Sequence, residues 1–266
     1  MTLEKPVVMG LWLVGGLGSF SVSAQSLPNL PTSLTSVPRA DSVISYFPAQ
    51  AAQDYPQGQP SDTVKATICQ YIFRSASECL MAFQAPVLSD AYHGPAVYRF
   101  IWLRSFHQPV LLTLERTESG GKLLTQLLNK HPNMGVPTLP NPDEPGIPSE
   151  ARQRRLKLAQ KMAHDKRWQA ELAFAKAPAV AHSEPTVLVG PAQMQQFSSL
   201  LDQADFWQTP SCGATFGTDG AAWLLEARLG TRYHVTYRQS PAQKTQFRQY
   251  CEFLLNLSPA RRERRY

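Results

Sequence analysis

The sequence is poor in the residue patterns that mark the common kinds of catalytic and metal-binding site. Its six histidines are scattered and no H-x-x-x-H pair occurs, so the helical zinc-protease motif is absent. No G-x-S-x-G string marks a serine-hydrolase turn, and no glycine-rich loop cradles phosphate. We therefore predict no metal and no cofactor. The histidines are His93, His107, His131, His164, His182 and His234.

The sequence also lacks an apolar run of the roughly 20 residues that a membrane-spanning helix needs. The apolar run 7–18 is too short, and the small residues Val22 and Ala24 follow it at the −3 and −1 positions of a cleavage site. Residues 1–24 are therefore predicted to be an export signal cut before Gln25, with an uncleaved N-terminal anchor as the alternative. No cysteine follows the run directly, so no lipoprotein is indicated. We predict an exported protein, periplasmic or secreted.

Cysteine is scarce, but export makes disulfides possible, and four thiols allow three full pairings. In one helix Cys69 and Cys79 would lie roughly 15 Å apart at 1.5 Å per residue, beyond the ~7 Å between Cα atoms that a disulfide accepts. Cys251 lies on the apolar stripe of the last predicted helix, where free buried thiols are common. The sequence leaves open which disulfides form among Cys69, Cys79, Cys212 and Cys251, and no pair has zinc-site spacing.

Composition divides the rest of the chain into segments. Residues 25–60 are rich in Pro, Ser, Gln and Ala and are predicted to form a flexible leader. Residues 61–258 are predicted to form a single domain, with a proline-rich loop and a basic helix inserted at 131–177. Residues 259–266 form an arginine-rich tail.

The net charge of +6 is concentrated in two places. Residues 149–177 carry eight Lys/Arg against three Asp/Glu, and the tail carries four Arg and one Glu. Segments 149–177 and 261–265 could make weak electrostatic contact with an anionic envelope surface, although a solvated charged face is the commoner explanation. Trp168 and Phe174 are too few aromatics for a stacking platform, so no specific nucleic-acid binding is expected.

Hydrophobic periodicity predicts ten elements, with short turns between consecutive strands. The strand 98–104 is apolar on both faces and is predicted to be central. Hairpins dominate, so the predicted fold class is α+β: a single antiparallel sheet of about six strands with two or three helices packed on one face, plus the basic insertion helix. The predicted helices are 62–83, 149–177, one from residue 191 and one from residue 241; the strands are 98–104, 110–116, 122–128, 186–189, 221–228 and 232–238.

The best-marked hairpin joins residues 221–228 to 232–238. We expect Trp223 and Leu225 to share a face with Tyr233, Val235 and Tyr237, which requires an odd number of loop residues. A three-residue loop at 229–231 fits, and it places Glu226 opposite His234. A slip by two residues places Glu226 opposite Arg232 instead.

Two strings in the chain resemble a group of small, often exported bacterial proteins. The first is YRFIWLRSFH at 98–107, and the second is DGAAWLLE at 219–226, followed by Tyr233-His234. The resemblance covers 97–128 and 184–258, under half of the chain, and leaves out 131–177. No activity is assigned to the group, so the resemblance implies export and carries over no catalytic residue.

Two polar groups are candidate sites. Asp219, Glu226 and His234 offer acid–base chemistry, unless they are an ordinary cross-strand surface cluster. At the end of the first strand, Arg104, Ser105 and His107 offer anion or carboxylate recognition, unless Arg104 simply pairs with a carboxylate such as Glu115.

The function predicted from these patterns is a non-enzymatic binding or accessory module of the bacterial envelope. The alternative is an exported hydrolase with a polar cluster around His107, Glu226 and His234. The hydrolase requires these side chains to converge in one pocket, with Arg104 and Asp219 beside them.

Overall fold

The computed structural model describes residues 45–54, 62–89, 92–213, 217 and 219–265. The predicted export signal 1–24 lies outside the described residues, as does the predicted leader apart from 45–54. In the described part no helix is long and apolar enough to cross a membrane.

Within the described ranges, seven strands form one antiparallel sheet, which confirms the predicted α+β class. They are β1 Val97–Arg104, β2 Val110–Thr117, β3 Gly120–Leu128, β4 Ala181–Ser183, β5 Val187–Val189, β6 Ala221–Leu229 and β7 Arg232–Gln239. The strand order is β4-β3-β2-β1-β6-β7, and β5 pairs with the other end of β3. β1 is central and buried at every residue, as its two apolar faces predicted. The short strand β4 was not predicted.

The helices are α1 Asp62–Ala82, α2 Ser149–Ala163, α3 Lys166–Lys176, α4 Pro191–Gln203 and α5 Gln246–Leu257. α5 begins five residues later than the predicted start at residue 241. They cover both faces of the sheet, whereas the sequence predicted packing on one face. α4 and α5 pack on the face that carries Trp102 and Trp223. α1 packs on the opposite face, which carries Ile101 and Leu224. Both faces need a cover because β1 and β6 alternate two apolar sets.

Residues 45–54 belong to the folded domain, although the sequence predicted a flexible leader up to residue 60. Tyr46 and Phe47 are buried in the core on the α1 face. The Asp54 carbonyl accepts a hydrogen bond from the Cys212 N–H at 2.8 Å. Ala51 and Ala52 are buried in the same core, so burial of apolar side chains holds this segment on the domain. The domain therefore begins at or before residue 45, not at 61.

A disulfide joins Cys69 of α1 to Cys212, with 6.2 Å between the Cα atoms. Cys79 and Cys251 are free and buried, one on each face of the sheet. Burial raises the pKa of the Cys79 thiol to about 12 and raises that of Cys251 well above its ordinary value. Neither thiol is ionised at neutral pH, so neither is a nucleophile there.

The basic insertion is two helices, not the single helix predicted over 149–177. The chain breaks before α3, where the Asp165 carboxylate accepts hydrogen bonds from two backbone N–H groups of the first turn. None of the described residues of α2 is buried, in agreement with the expected solvated helix. α3 is different, because Ala175 in its last turn is buried.

The hairpin of β6 and β7 has a tight turn at Gly230, not the predicted three-residue loop. Leu229 pairs directly with Arg232, and Gly230 has a φ of +59°. A one-residue change in the loop moves every side chain of β7 to the other face. Glu226 therefore pairs with Val235, whereas the sequence predicted His234 or, after a slip, Arg232. The predicted face was also wrong for three side chains of β7, which lie on the face opposite to Trp223 and Leu225: Tyr233, Val235 and Tyr237.

Candidate functional site

A cavity of about 430 Å³ opens where β1 leaves the sheet. Four parts of the chain meet there: the loop 105–108, the segment 129–134 after β3, the last turn of α3 and the C-terminal tail. The volume lies in the range of pockets that bind small molecules. The polar residues that line it include Arg104, Ser105, His107, Lys130, His131 and Glu263.

Arg104, the last residue of β1, places a buried guanidinium in the wall of this cavity. Its side chain is 1% exposed. Nε and Nη2 donate to the Gln108 carbonyl oxygen at 3.0 and 2.7 Å, and Nη1 donates to the Glu263 carboxylate at 2.5 Å. The guanidinium carbon lies 4.7 Å from the centre of the Trp102 ring. The backbone carbonyl and the indole thus fix the group, and its remaining edge meets a carboxylate.

Lys130 attaches the insertion to the sheet beside Arg104. Its side chain is buried, and Nζ donates to the carbonyl oxygens of Phe174 and Ala175 in the last turn of α3. A lysine in this position satisfies end carbonyls and offsets the helix dipole. His131 next to it places Nε2 2.8 Å from the Arg104 carbonyl oxygen. α3 is therefore held in place as one wall of the cavity.

The cavity is also lined by three apolar side chains that are exposed to solvent. Phe106 is 70% exposed, Phe174 45% and Met134 39%. Single exposed apolar side chains are common on protein surfaces, but three around one cavity form a patch of the kind that contacts a ligand.

The predicted group Arg104, Ser105 and His107 lies together, since all three residues line the cavity. Arg104 does pair with a carboxylate, as the alternative interpretation held, but not with its example Glu115, which lies opposite Val97 at the other end of β1. The actual partner, Glu263, lies 159 residues further along the chain. Its one trace in the sequence is a single acidic residue in an arginine-rich tail.

The other predicted group, Asp219, Glu226 and His234, is not brought together. Asp219 is exposed before β6. Glu226 lies opposite Arg99, five residues along β1 from Arg104. At 3.4 Å per residue this places Glu226 roughly 17 Å from the end of β1 where the cavity opens. Glu226 faces α1, whereas His234 contacts the Phe206 ring on the opposite face. The residues of the hydrolase hypothesis therefore do not share a pocket.

Glu226 instead belongs to a buried ion-pair network. Its carboxylate accepts hydrogen bonds from Nε of Arg99 at 2.7 Å, from Nη2 of the same residue, and from the Tyr233 hydroxyl at 2.9 Å. Burial raises the pKa of the Glu226 carboxyl, and the Arg99 charge and the Tyr233 hydrogen bond oppose that rise. The ion pair itself links β1 to β6, and since the Arg99 and Glu226 side chains are 1% and 0% exposed, it is not placed to meet a ligand.

His234 packs between aromatic rings, 4.9 Å from the Phe206 centroid and 6.4 Å from that of Trp207. Burial lowers the pKa of its imidazole, while a backbone hydrogen bond with Thr209 and the charge of Asp54 act in the opposite direction. The neutral form of this half-buried ring is therefore favoured, and the ring packs against the core residue Phe206.

Among the residues described above, no three His, Cys, Asp or Glu side chains are grouped closely enough to hold a metal ion. Comparison with protein-family models, with curated proteins and with solved structures finds no match for the chain. The resemblance to an exported bacterial group therefore stays a prediction.

Proposed function

We propose that the protein is an exported, non-enzymatic binding module of the bacterial envelope whose ligand site is the cavity at the end of β1. The observation that carries this proposal is the buried guanidinium of Arg104 next to three exposed apolar side chains. Sites for small ligands combine apolar contact area with a few fixed polar groups in this way. Binding is favoured over catalysis because the predicted acid–base residues Glu226 and His234 lie on opposite faces of the sheet, and neither lines the cavity.

Export is supported by two independent features. The first is the apolar run and small-residue cleavage pattern of residues 1–24. The second is the disulfide between Cys69 and Cys212, a bond that persists in oxidising compartments and is rare in the cytoplasm. Expression of the full chain in a bacterium, recovery from the envelope and intact-mass measurement test this. The expected mass is that of a chain whose first residue is Gln25. The mass of a chain that still starts at Met1 contradicts export with cleavage.

The ligand site is tested by NMR with isotope-labelled protein and a library of small fragments of both charge signs. Fragments that bind are expected to shift the backbone amides of 105–108 and 129–134. Binding that is confined to other surfaces, or no binding at all, contradicts the proposal.

Two matched variants distinguish fragment binding in the cavity from nonspecific binding to exposed apolar side chains. F106A removes a 70% exposed aromatic from the cavity rim, and L188A removes a 76% exposed side chain from β5. F106A is expected to weaken fragment binding about tenfold, in line with the loss of one well-placed apolar contact. L188A is expected to leave binding unchanged. Equal effects of the two variants count against the cavity.

A further inference from the structure

The Arg104 guanidinium is a buried cation whose charge is balanced by a replaceable partner. At 1% exposure it has little access to water, and leaving such a cation without an anion is strongly unfavourable. The Gln108 carbonyl and the Trp102 ring fix its orientation but carry no negative charge. Among the described residues, the one carboxylate in an ion pair with it is Glu263. The position therefore requires a carboxylate, and Glu263 supplies it.

Glu263 is a partner that another carboxylate can replace. Its side chain is 37% exposed, so its carboxylate is already partly hydrated. The tail is also held elsewhere, because Nη2 of Arg265 donates to the Asn256 side-chain oxygen at 2.6 Å. Rotation of the Glu263 side chain toward water thus exposes the edge of Arg104 without releasing the tail.

The side chains around this edge indicate what else a ligand carries. Phe106, Met134 and Phe174 line the same cavity and are exposed in the absence of a ligand. A group that covers them gains the free energy of removing apolar surface from water. A carboxylate directed at Arg104 places the rest of a small molecule against these side chains.

We infer that the cavity binds a small carboxylic acid with an apolar substituent, and that Glu263 occupies the carboxylate position until the ligand displaces it. This inference rests on the proposed function, that is, on the cavity being the ligand site. The C-terminal tail then sets the affinity, because an internal competitor lowers the apparent affinity by the fraction of molecules in which it is displaced.

The test uses two probes of nearly equal shape, 3-phenylpropionate and the neutral 3-phenylpropionamide. Each is titrated into the wild-type protein and into E263A, and binding is followed by NMR at the Nε–Hε resonance of Arg104. E150A is the matched control, because Glu150 forms an exposed ion pair with Arg154 on α2, so the charge change is the same. Thermal unfolding checks that the variants are folded.

E263A is expected to bind the carboxylate at least about fivefold more tightly than the wild type, with the amide unaffected and E150A behaving as the wild type. If acid and amide bind alike, or if E263A leaves the affinity for the acid unchanged, the inference is wrong while the cavity remains a ligand site. If neither probe reaches the cavity but other fragments do, the assigned ligand class is wrong. If no fragment of any class binds there, the proposed function fails first.

Discussion

Arg99 and Glu226 face each other across β1 and β6, with side chains that are 1% and 0% exposed. Removing two ions from water costs several kcal/mol for each, and close pairing with additional hydrogen bonds offsets that cost. The Tyr233 hydroxyl and the Pro86 carbonyl supply those hydrogen bonds. The pair is therefore far more sensitive to the loss of one partner than to the loss of both.

R99M is expected to lower the free energy of unfolding by about 3–5 kcal/mol, because it leaves the Glu226 carboxyl buried without its cation. The double variant R99M/E226L is expected to lose less than R99M alone. Urea denaturation measures both. R154M is the control: the side chains of Arg154 and Glu150 are 78% and 75% exposed, and breaking their pair is expected to cost under about 1 kcal/mol. A similar loss in R99M and R154M contradicts this account.

Features that depend on one element and one buried face could be predicted from the sequence. Met194, Phe197 and Leu201 recur at helical spacing in the sequence, and all three are buried along α4. The break before α3 could have been predicted too, since Asp165 is a strong N-cap residue.

Features that depend on both faces of a strand or on distant segments of the chain could not be predicted from the sequence. β6 is buried on both faces from Ala221 to Ala227, so burial fits either register of the hairpin, and the tight turn at Gly230 decides between them. The pairing of Arg104 with Glu263 requires the tertiary fold, because no local rule joins residues so far apart.

The disulfide between Cys69 and Cys212 closes a long loop, since 143 residues separate the two cysteines. Such a cross-link restricts the unfolded chain and stabilises the fold by about 3–5 kcal/mol in the loop-entropy account. C69S/C212S is expected to lose that amount in denaturant unfolding and to be insensitive to dithiothreitol. C79A, which removes a buried free thiol, should keep the wild-type response to the reductant. An unchanged wild-type stability on reduction contradicts the prediction.

Lys130 holds α3 by its last carbonyls, so its replacement is expected to loosen the insertion. K130M keeps the aliphatic part of the side chain and removes the ammonium that donates to Phe174 and Ala175. A loss of about 1–3 kcal/mol in the free energy of unfolding is expected, with faster hydrogen exchange in α3. K122M on β3, the strand that ends just before Lys130, is the control, because Lys122 is exposed. Equal exchange in α3 in the two variants means that Lys130 does not dock the helix.

Partial burial of His234 is expected to make the folded protein less stable as the pH falls. Burial lowers the pKa of the folded-state imidazole below the ordinary value of 6.5, so the unfolded chain binds the proton more tightly. The stability that the neutral His234 ring contributes to the free energy of unfolding is fully present above pH 6.5. It declines as the pH falls below 6.5, and it is lost once the pH is below the lowered pKa of the folded protein. Other groups titrate in this range, so the measured quantity is the difference in free energy of unfolding between the wild type and H234Q. That difference is expected to shift against the wild type between pH 7.5 and pH 4.5; a difference that is constant with pH means that His234 keeps its ordinary pKa in the fold.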